Sequence, residues 1–169
     1  SLGLPLPKQV FGHGWLKING GKISKSLGNY KDPREYINTY GVDAVRYYVL
    51  HEIPFAQDGS ITYELLTERY NADLANILGN LVSRTMAMTS KYFAGHVENK
   101  GSFFPYDEEL KAELVKMKQN TQKHMDSLHV GDAIEDIIVA LRRANKYIDE
   151  TAPWVLAKDE SKKDALESV

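Results

Sequence analysis

Lys22-Ile23-Ser24-Lys25-Ser26-Leu27-Gly28-Asn29 is the stretch from which the rest of the chain is read. Two lysines and two serines alternate around Ile23, Gly28 follows, and Gly20-Gly21 stand just before. Such a run offers hydroxyls, ammonium groups and unhindered backbone N–H groups, but little with which to build a core. Those are the groups that hold phosphate. A lysine adds a mobile point charge that can follow a phosphate as it leaves.

The flanking sequence predicts a small mixed α/β region around this loop. Residues Lys8 to Ile18 set β-forming side chains on both sides of Gly12-His13-Gly14, which predicts strands flanking a bend. Asn19-Gly20-Gly21 reads as a turn. After the loop, Asp32-Pro33 opens a helix, with Asp32 as N-cap and proline at the first helical position. That helix ends near Tyr40-Gly41. A second covers about Val42 to Glu52 and stops at Ile53-Pro54. Gly59-Ser60-Ile61 reads as a short strand.

From Thr62 onward the pattern is helical. Tyr63 to Tyr70 form a first stretch, with a reset expected at Asn71 or Asp73. Leu74, Ile77, Leu78, Leu81, Val82 and Thr85 then recur at helical spacing up to Gly95. After a loop over 96–106, a helix is expected from Asp107 to Ser127. Another opens after Gly131, with Ile134, Ile137, Ile138, Leu141 and Ile148 on one face, and is interrupted at Pro153. The expected fold is mainly α: a small α+β module over residues 1–61, then an α-helical bundle over 62–169.

Composition limits the function classes. Charged residues make up 26% and the net charge is -2, so any nucleic-acid partner is held by local patches and not by a global basic field. There is no cysteine, which excludes disulfides and cysteine-ligated zinc. The five histidines show no metal-ligand pairing, and no metal site is expected. No apolar run reaches the ~20 residues of a membrane span, so no membrane partner is expected. The chain starts without methionine, and Ser161 to Asp164 reads as a helix opening, with Ser161 as N-cap, close to the last residue. Both ends therefore read as cut from a longer protein.

Two features of the helical part point to RNA. On a wheel of 100° per residue, Asn76, Asn80, Arg84 and Lys91 fall on a stripe away from the apolar face centred on Leu74, Leu81 and Thr85. Asn amides and Arg forks can read base edges or pair with phosphates, although such a stripe is also an ordinary solvated helix face. Trp154 follows Pro153 on a stiff corner. A tryptophan there can stack on an unpaired base or lie buried between helices.

With those residues in view, the loop resembles the Lys-Met-Ser-Lys-Ser signature of class I aminoacyl-tRNA synthetases, with Ile23 in the methionine place. The whole chain closely resembles bacterial methionyl-tRNA synthetases. The likeness runs through Phe11-Gly12-His13-Gly14, Asp43-Ala44-Val45-Arg46-Tyr47-Tyr48, Asn71-Ala72-Asp73-Leu74-Ala75-Asn76, Gly79-Asn80-Leu81-Val82-Ser83-Arg84 and Ala152-Pro153-Trp154-Val155. The loop alone marks class I synthetases broadly; the last two runs together mark the methionine member far more narrowly.

The resemblance implies the end of a class I Rossmann catalytic fold with a stem-contact module, then an anticodon-binding bundle truncated at its C-terminus. It implies a methionine–tRNA ligase: methionine is activated by ATP, with Mg2+, to methionyl-adenylate and transferred to tRNA(Met) in the cytoplasm. Lys22 and Lys25 would neutralise the leaving pyrophosphate, Lys25 foremost. Ser24 and Ser26 would order the loop around the phosphates, and His13 would line the adenine or ribose side. Asn80 and Arg84 would bond the bases of a CAU anticodon while Trp154 stacks on one. Ile23 keeps an apolar anchor but is β-branched, which implies altered loop mobility. The family's His-Ile-Gly-His motif, methionine pocket and zinc-bearing insertion are absent from these residues, so this piece alone is expected not to activate methionine and to need the missing N-terminal half. Two other readings fit the residues less closely: a non-enzymatic RNA-binding helical module, and a class I synthetase for another large aliphatic amino acid.

Overall fold

The computed structural model describes residues 3–18, 20–55, 57–98 and 100–169. A three-stranded sheet in the order β2-β1-β3 starts the fold. β1 (Leu16–Ile18) pairs antiparallel with β2 (Gly21–Lys22), Lys17 facing Lys22, and parallel with β3 (Gly59–Ser60), Leu16 facing Gly59. Gly20 turns the hairpin at φ +74°, a value that favours glycine. Asn19, expected to open that turn, lies outside the described residues.

The strand expected before Gly12 does not form. Residues 8–11 carry no ladder, and Val10 is 89% exposed. A strand needs a neighbour for its N–H and C=O groups, and here pairing begins only where β3 comes alongside. Gly14 lets the chain make that approach, because a Cβ there would stand 1.7 Å from the Gln57 carbonyl oxygen.

The helices follow their sequence signals. In α1 (Pro33–Tyr40) the Asp32 carboxylate accepts the Arg34 N–H at 2.9 Å, and Gly41, at φ +84°, links it to α2 (Val42–Glu52). In α3 (Tyr63–Arg69) the Thr62 hydroxyl oxygen accepts the Leu65 N–H. Tyr36, Tyr48, Ile61 and Leu66 form the core of this part, with Ile18, Tyr40, Val45, Val49 and Tyr63 packed around it. The Tyr48 hydroxyl donates to the Ser60 carbonyl at 2.8 Å, joining α2 to the sheet.

No reset occurs at Asn71 or Asp73. The chain runs on as a π-helix, Tyr70–Gly79, straight into α4 (Asn80–Phe93). Asp73 does not cap a new helix. Its side chain turns inward and is 1% exposed. It accepts the Tyr47 hydroxyl at 2.8 Å and Arg69 Nη1 at 3.2 Å, and Arg142 Nη2 stands 3.9 Å away. The wide turns also spoil the 100° phase of the wheel, since π-helical bonds span one residue more than α-helical ones. Leu78, Val82 and Thr85, expected on the packed face, are exposed. Ile77, Leu81, Arg84 and Met88 are partly covered instead.

α5 (Asp107–Asp126) and α6 (Val130–Thr151) form an antiparallel hairpin, followed by α7 (Pro153–Leu156), a 3-10 turn at Glu160–Lys162 and α8 (Lys163–Ser168). The buried line of α6 includes Ala133, Ala140, Tyr147 and Ile148 as well as Ile138. Small alanines let the neighbouring helix come close, and Ile137 is left 41% exposed, contrary to the expected isoleucine face. At the last turns, Asp159 and not Ser161 is the cap: its carboxylate accepts the Ser161 N–H at 3.0 Å. Among the described residues no helix is long and apolar enough to cross a membrane.

A closed circuit of ionisable side chains ties α2, α3, the π segment and α6 together. Arg69 pairs with Asp73 and, at 2.8 Å, with Glu52. Glu52 lies 2.7 Å from His51 Nδ1, whose Nε2 lies 3.2 Å from Glu135. Glu135 meets Arg142 at 2.6 Å, and Arg142 returns to Asp73. Burial works to raise the Glu135 carboxyl, but bonds from Arg142 and His51 outweigh it and hold the group below its usual range. Gly131 admits the start of α6 here, since a Cβ would stand 2.7 Å from the His51 carbonyl oxygen.

Two predictions follow from this core. Asp73→Ala leaves Arg69 and the Tyr47 hydroxyl without their buried partner, and urea unfolding is expected to show a loss of about 3 kcal/mol; a loss below about 1 kcal/mol would mean the circuit is not structural. Burial raises Tyr47, Tyr48 and Tyr147, with Tyr48 pushed up to about 12, Tyr47 helped by its bond to Asp73 and Tyr147 by its bond to Asp107. The unfolded phenols ionise near 10.0, so the folded state holds more protons above that pH and stability falls as pH rises. Tyrosine absorbance at alkaline pH is expected to show a late group that titrates together with unfolding; a single early titration would contradict the burial.

Candidate functional site

The phosphate-type loop starts on the sheet. Lys22 is the last residue of β2, and its Nζ lies 4.9 Å from the centre of the Trp15 ring. Beyond it, Asn29 closes the loop from the far side: its Oδ1 accepts the Ser24 N–H at 2.8 Å and its Nδ2 donates to the Lys22 carbonyl at 3.0 Å. Residues 24–28 turn back on themselves through Leu27 N–H to Ser24 O and Gly28 N–H to Lys25 O, at 3.3 and 3.2 Å. Gly28 takes φ +69°. The hydroxyls of Ser24 and Ser26 are 2.7 Å apart, and Lys25 Nζ lies 5.3 Å from the centre of the Tyr30 ring. The result is an exposed turn with two lysines and two hydroxyls at its surface. His13 is exposed before β1, with Nδ1 2.8 Å from the Gly14 carbonyl. Among the described residues no group of three or more His, Asp or Glu could hold a metal ion.

A second cluster forms where α4, α6 and α7 meet. Asn80 is exposed at the start of α4, and Arg84 stands one turn further on. Arg84 is not the free solvated side chain that the wheel suggests. Its Nη2 lies 2.5 Å from an Asp149 carboxylate oxygen, and its guanidinium carbon is 5.9 Å from the centre of the Trp154 ring. Trp154 is 42% exposed, so the buried-core alternative for this tryptophan fails. Ala152, at φ +45°, and the buried Pro153 turn the chain so that the indole faces outward. A ring and a guanidinium side by side can stack on a base and bond its edge. The structure therefore brings Arg84 and Trp154 together, with Asn80 one turn away. The loop residues form a separate cluster on the sheet.

The family model of class I tRNA synthetases (M) matches residues 1–86. The chain belongs to this family. It is 53% identical over 169 residues to a methionine–tRNA ligase of Caldanaerobacter subterraneus subsp. tengcongensis and 52% identical to one of Clostridium perfringens, covering all of this chain and 26% of each relative. The chain thus spans about a quarter of the length of the curated relatives it matches. Among solved structures, Mycobacterium tuberculosis methionyl-tRNA synthetase in complex with methionyl-adenylate superposes with a TM-score of 0.91 at 40% identity, over 98% of this chain and 33% of that one. Its apo form superposes at 0.85 with 37% identity, over 98% and 32%. The mainly α fold with a small sheet expected for this segment of a class I synthetase is the fold observed.

Sequence reasoning missed Asp149 and Asn29 as organisers. Asp149 is separated from Arg84 by 65 residues, and nothing local announces their pairing. Asn29 did carry a signal, because asparagine beside a glycine-closed turn commonly bonds nearby backbone. In a Trp15→Phe variant, Trp154 emission is expected to be red-shifted and readily quenched by acrylamide; blue-shifted, protected emission would contradict an exposed indole at this corner.

Proposed function

We propose that this chain is the part of a methionine–tRNA ligase that steadies the phosphates of ATP and reads the anticodon of tRNA(Met). Residues 1–61 act as the end of the catalytic fold with its signature loop and stem contact, and residues 62–169 as the anticodon-binding bundle. Lys22 and Lys25 neutralise charge on the departing pyrophosphate, with Ser24, Ser26 and loop N–H groups around it; His13 borders the nucleotide. Mg2+ arrives with ATP as part of the substrate. The loop's ammonium and hydroxyl groups suit the phosphates and not the metal. This is catalysis by positioning and electrostatics, with no covalent intermediate on the protein. The methionine pocket and the remaining catalytic groups belong to the rest of a cytoplasmic enzyme.

The observation that carries the reading is the corner at Trp154. An exposed indole beside a guanidinium held by Asp149, with Asn80 one turn away, offers a stacking face, a bidentate donor and an amide to unpaired bases. Asn80, Arg84 and Trp154 are proposed to read CAU.

The test is binding of this chain to an RNA stem-loop carrying CAU and to one with a single anticodon base changed, at fixed salt. CAU is expected to be preferred, and Trp154→Ala is expected to weaken its binding by about 1–3 kcal/mol. Equal, salt-sensitive binding of both RNAs would reduce the contact to phosphates alone and overturn the assignment.

A further inference from the structure

Three side chains outside the Lys-Ile-Ser-Lys-Ser run touch the phosphate loop: Asn29, Trp15 and Tyr30. β2 ends at Lys22, so the Lys22 carbonyl and the Ser24 N–H have no further strand to pair with. The Asn29 amide takes that place, one end accepting and the other donating. The base of the loop is thereby fixed. The turn beyond it is closed by two long backbone bonds at 3.3 and 3.2 Å and by the Ser24–Ser26 hydroxyl contact at 2.7 Å.

The two lysines rest on rings. Lys22 lies over Trp15 and Lys25 over Tyr30. Trp15 is anchored at its backbone: the main-chain N–H donates to an Asp58 carboxylate oxygen at 2.8 Å, and Asp58 pairs with Lys17 at 2.7 Å. Trp15 is 65% exposed. A cation on an exposed ring is attracted weakly. Phosphate oxygens carry full charge and outcompete a ring quadrupole. Until they arrive, the ring keeps a flexible ammonium close to its place of use, and less rotamer freedom is lost when the ligand binds.

We propose that Asn29 is the positioning residue of this loop, and that Trp15 and Tyr30 are the resting faces from which Lys22 and Lys25 move onto a diphosphate or triphosphate. The proposal rests on the phosphate-binding reading of the loop. It adds that the lysines start from defined positions, and that an amide outside the run sets the geometry they reach.

The test uses the 169-residue chain carrying Trp154→Phe, which leaves Trp15 as its one tryptophan, with inorganic pyrophosphate as the probe. Pyrophosphate is expected to change Trp15 emission saturably as Lys22 leaves the ring, and Lys22→Met is expected to abolish the change. Asn29→Ala is expected to raise the pyrophosphate dissociation constant about ten-fold. Asn29→Asp keeps the acceptor for Ser24 and is expected to raise it less. Unchanged amide signals from Gly59 and Ile61 would show that the sheet is intact in each variant. If binding needs Lys25 but neither Trp15 emission nor the Asn29 variants respond, this inference fails while the phosphate reading stands. If pyrophosphate binding does not depend on Lys22 or Lys25, the phosphate reading fails and this inference with it.

Discussion

A carboxylate buried to 1% exposure is the constraint on which the rest of the structure depends. Asp73 sits inside the junction of two helical groups, where an unpaired charge would cost several kcal/mol. Its partners come from three other elements: Tyr47 from α2, Arg69 from α3 and Arg142 from α6. Each arginine then meets a second carboxylate, and His51 bridges those two carboxylates. No helix in this set can shift far without stripping a buried charge of a partner. Such circuits contribute little net stability compared with apolar packing, because desolvation offsets attraction. What this one supplies is register: it fixes α6 against α2 and α3.

That register has a consequence for the corner at Trp154. Asp73 lies in the π segment that leads directly into α4, and α6 carries both Arg142 at the junction and Asp149 two turns later. Asn145, between them, donates to the Ile77 carbonyl in the π segment at 3.0 Å. The wide π turns therefore have a partner of their own on α6, which helps explain why an irregular stretch persists inside a long helix. The same two elements, locked together at Asp73 and Asn145, then meet again at the Arg84–Asp149 pair. The orientation of Arg84 toward Trp154 is set by a contact line running along α6, and not by the exposed corner alone.

How much of this could be read from sequence differs by the range of the interaction. Helix starts at Asp32-Pro33 and Thr62, the stop at Ile53-Pro54 and the turn at Gly20 were legible because each depends on residues within one turn. The strand before Gly12 was misread because propensity does not supply a neighbour. The wheel of the helix through Leu74 and Leu81 drifted because nothing in the residues announces a π-helix, which here accompanies a charge drawn inward by Tyr47 and Arg69. Ser161 lost the cap to Asp159, since both are good caps two residues apart and only the geometry decides. The candidate site residues rest on resemblance and on side-chain chemistry. Their organisers, Asp149 above all, act across distances in sequence that no spacing rule reaches.

Cations rest on aromatic rings at both clusters, yet the two are held differently. In the loop they are lysines: point charges on flexible stems, over Trp15 and Tyr30, with no carboxylate paired to either Nζ among the described contacts. At the corner the cation is an arginine on a helix, its planar fork fixed by a carboxylate at 2.5 Å. A lysine on a ring gives up its resting contact easily, which suits the proposed role of the loop on phosphates. A salt-bridged guanidinium has its direction set before any ligand arrives, which suits the proposed reading of bases at the corner. The placement agrees with the residue types. The ring-resting cations lie on a strand end and an exposed turn, and the carboxylate-held one on the element that the buried Asp73 helps to hold in register.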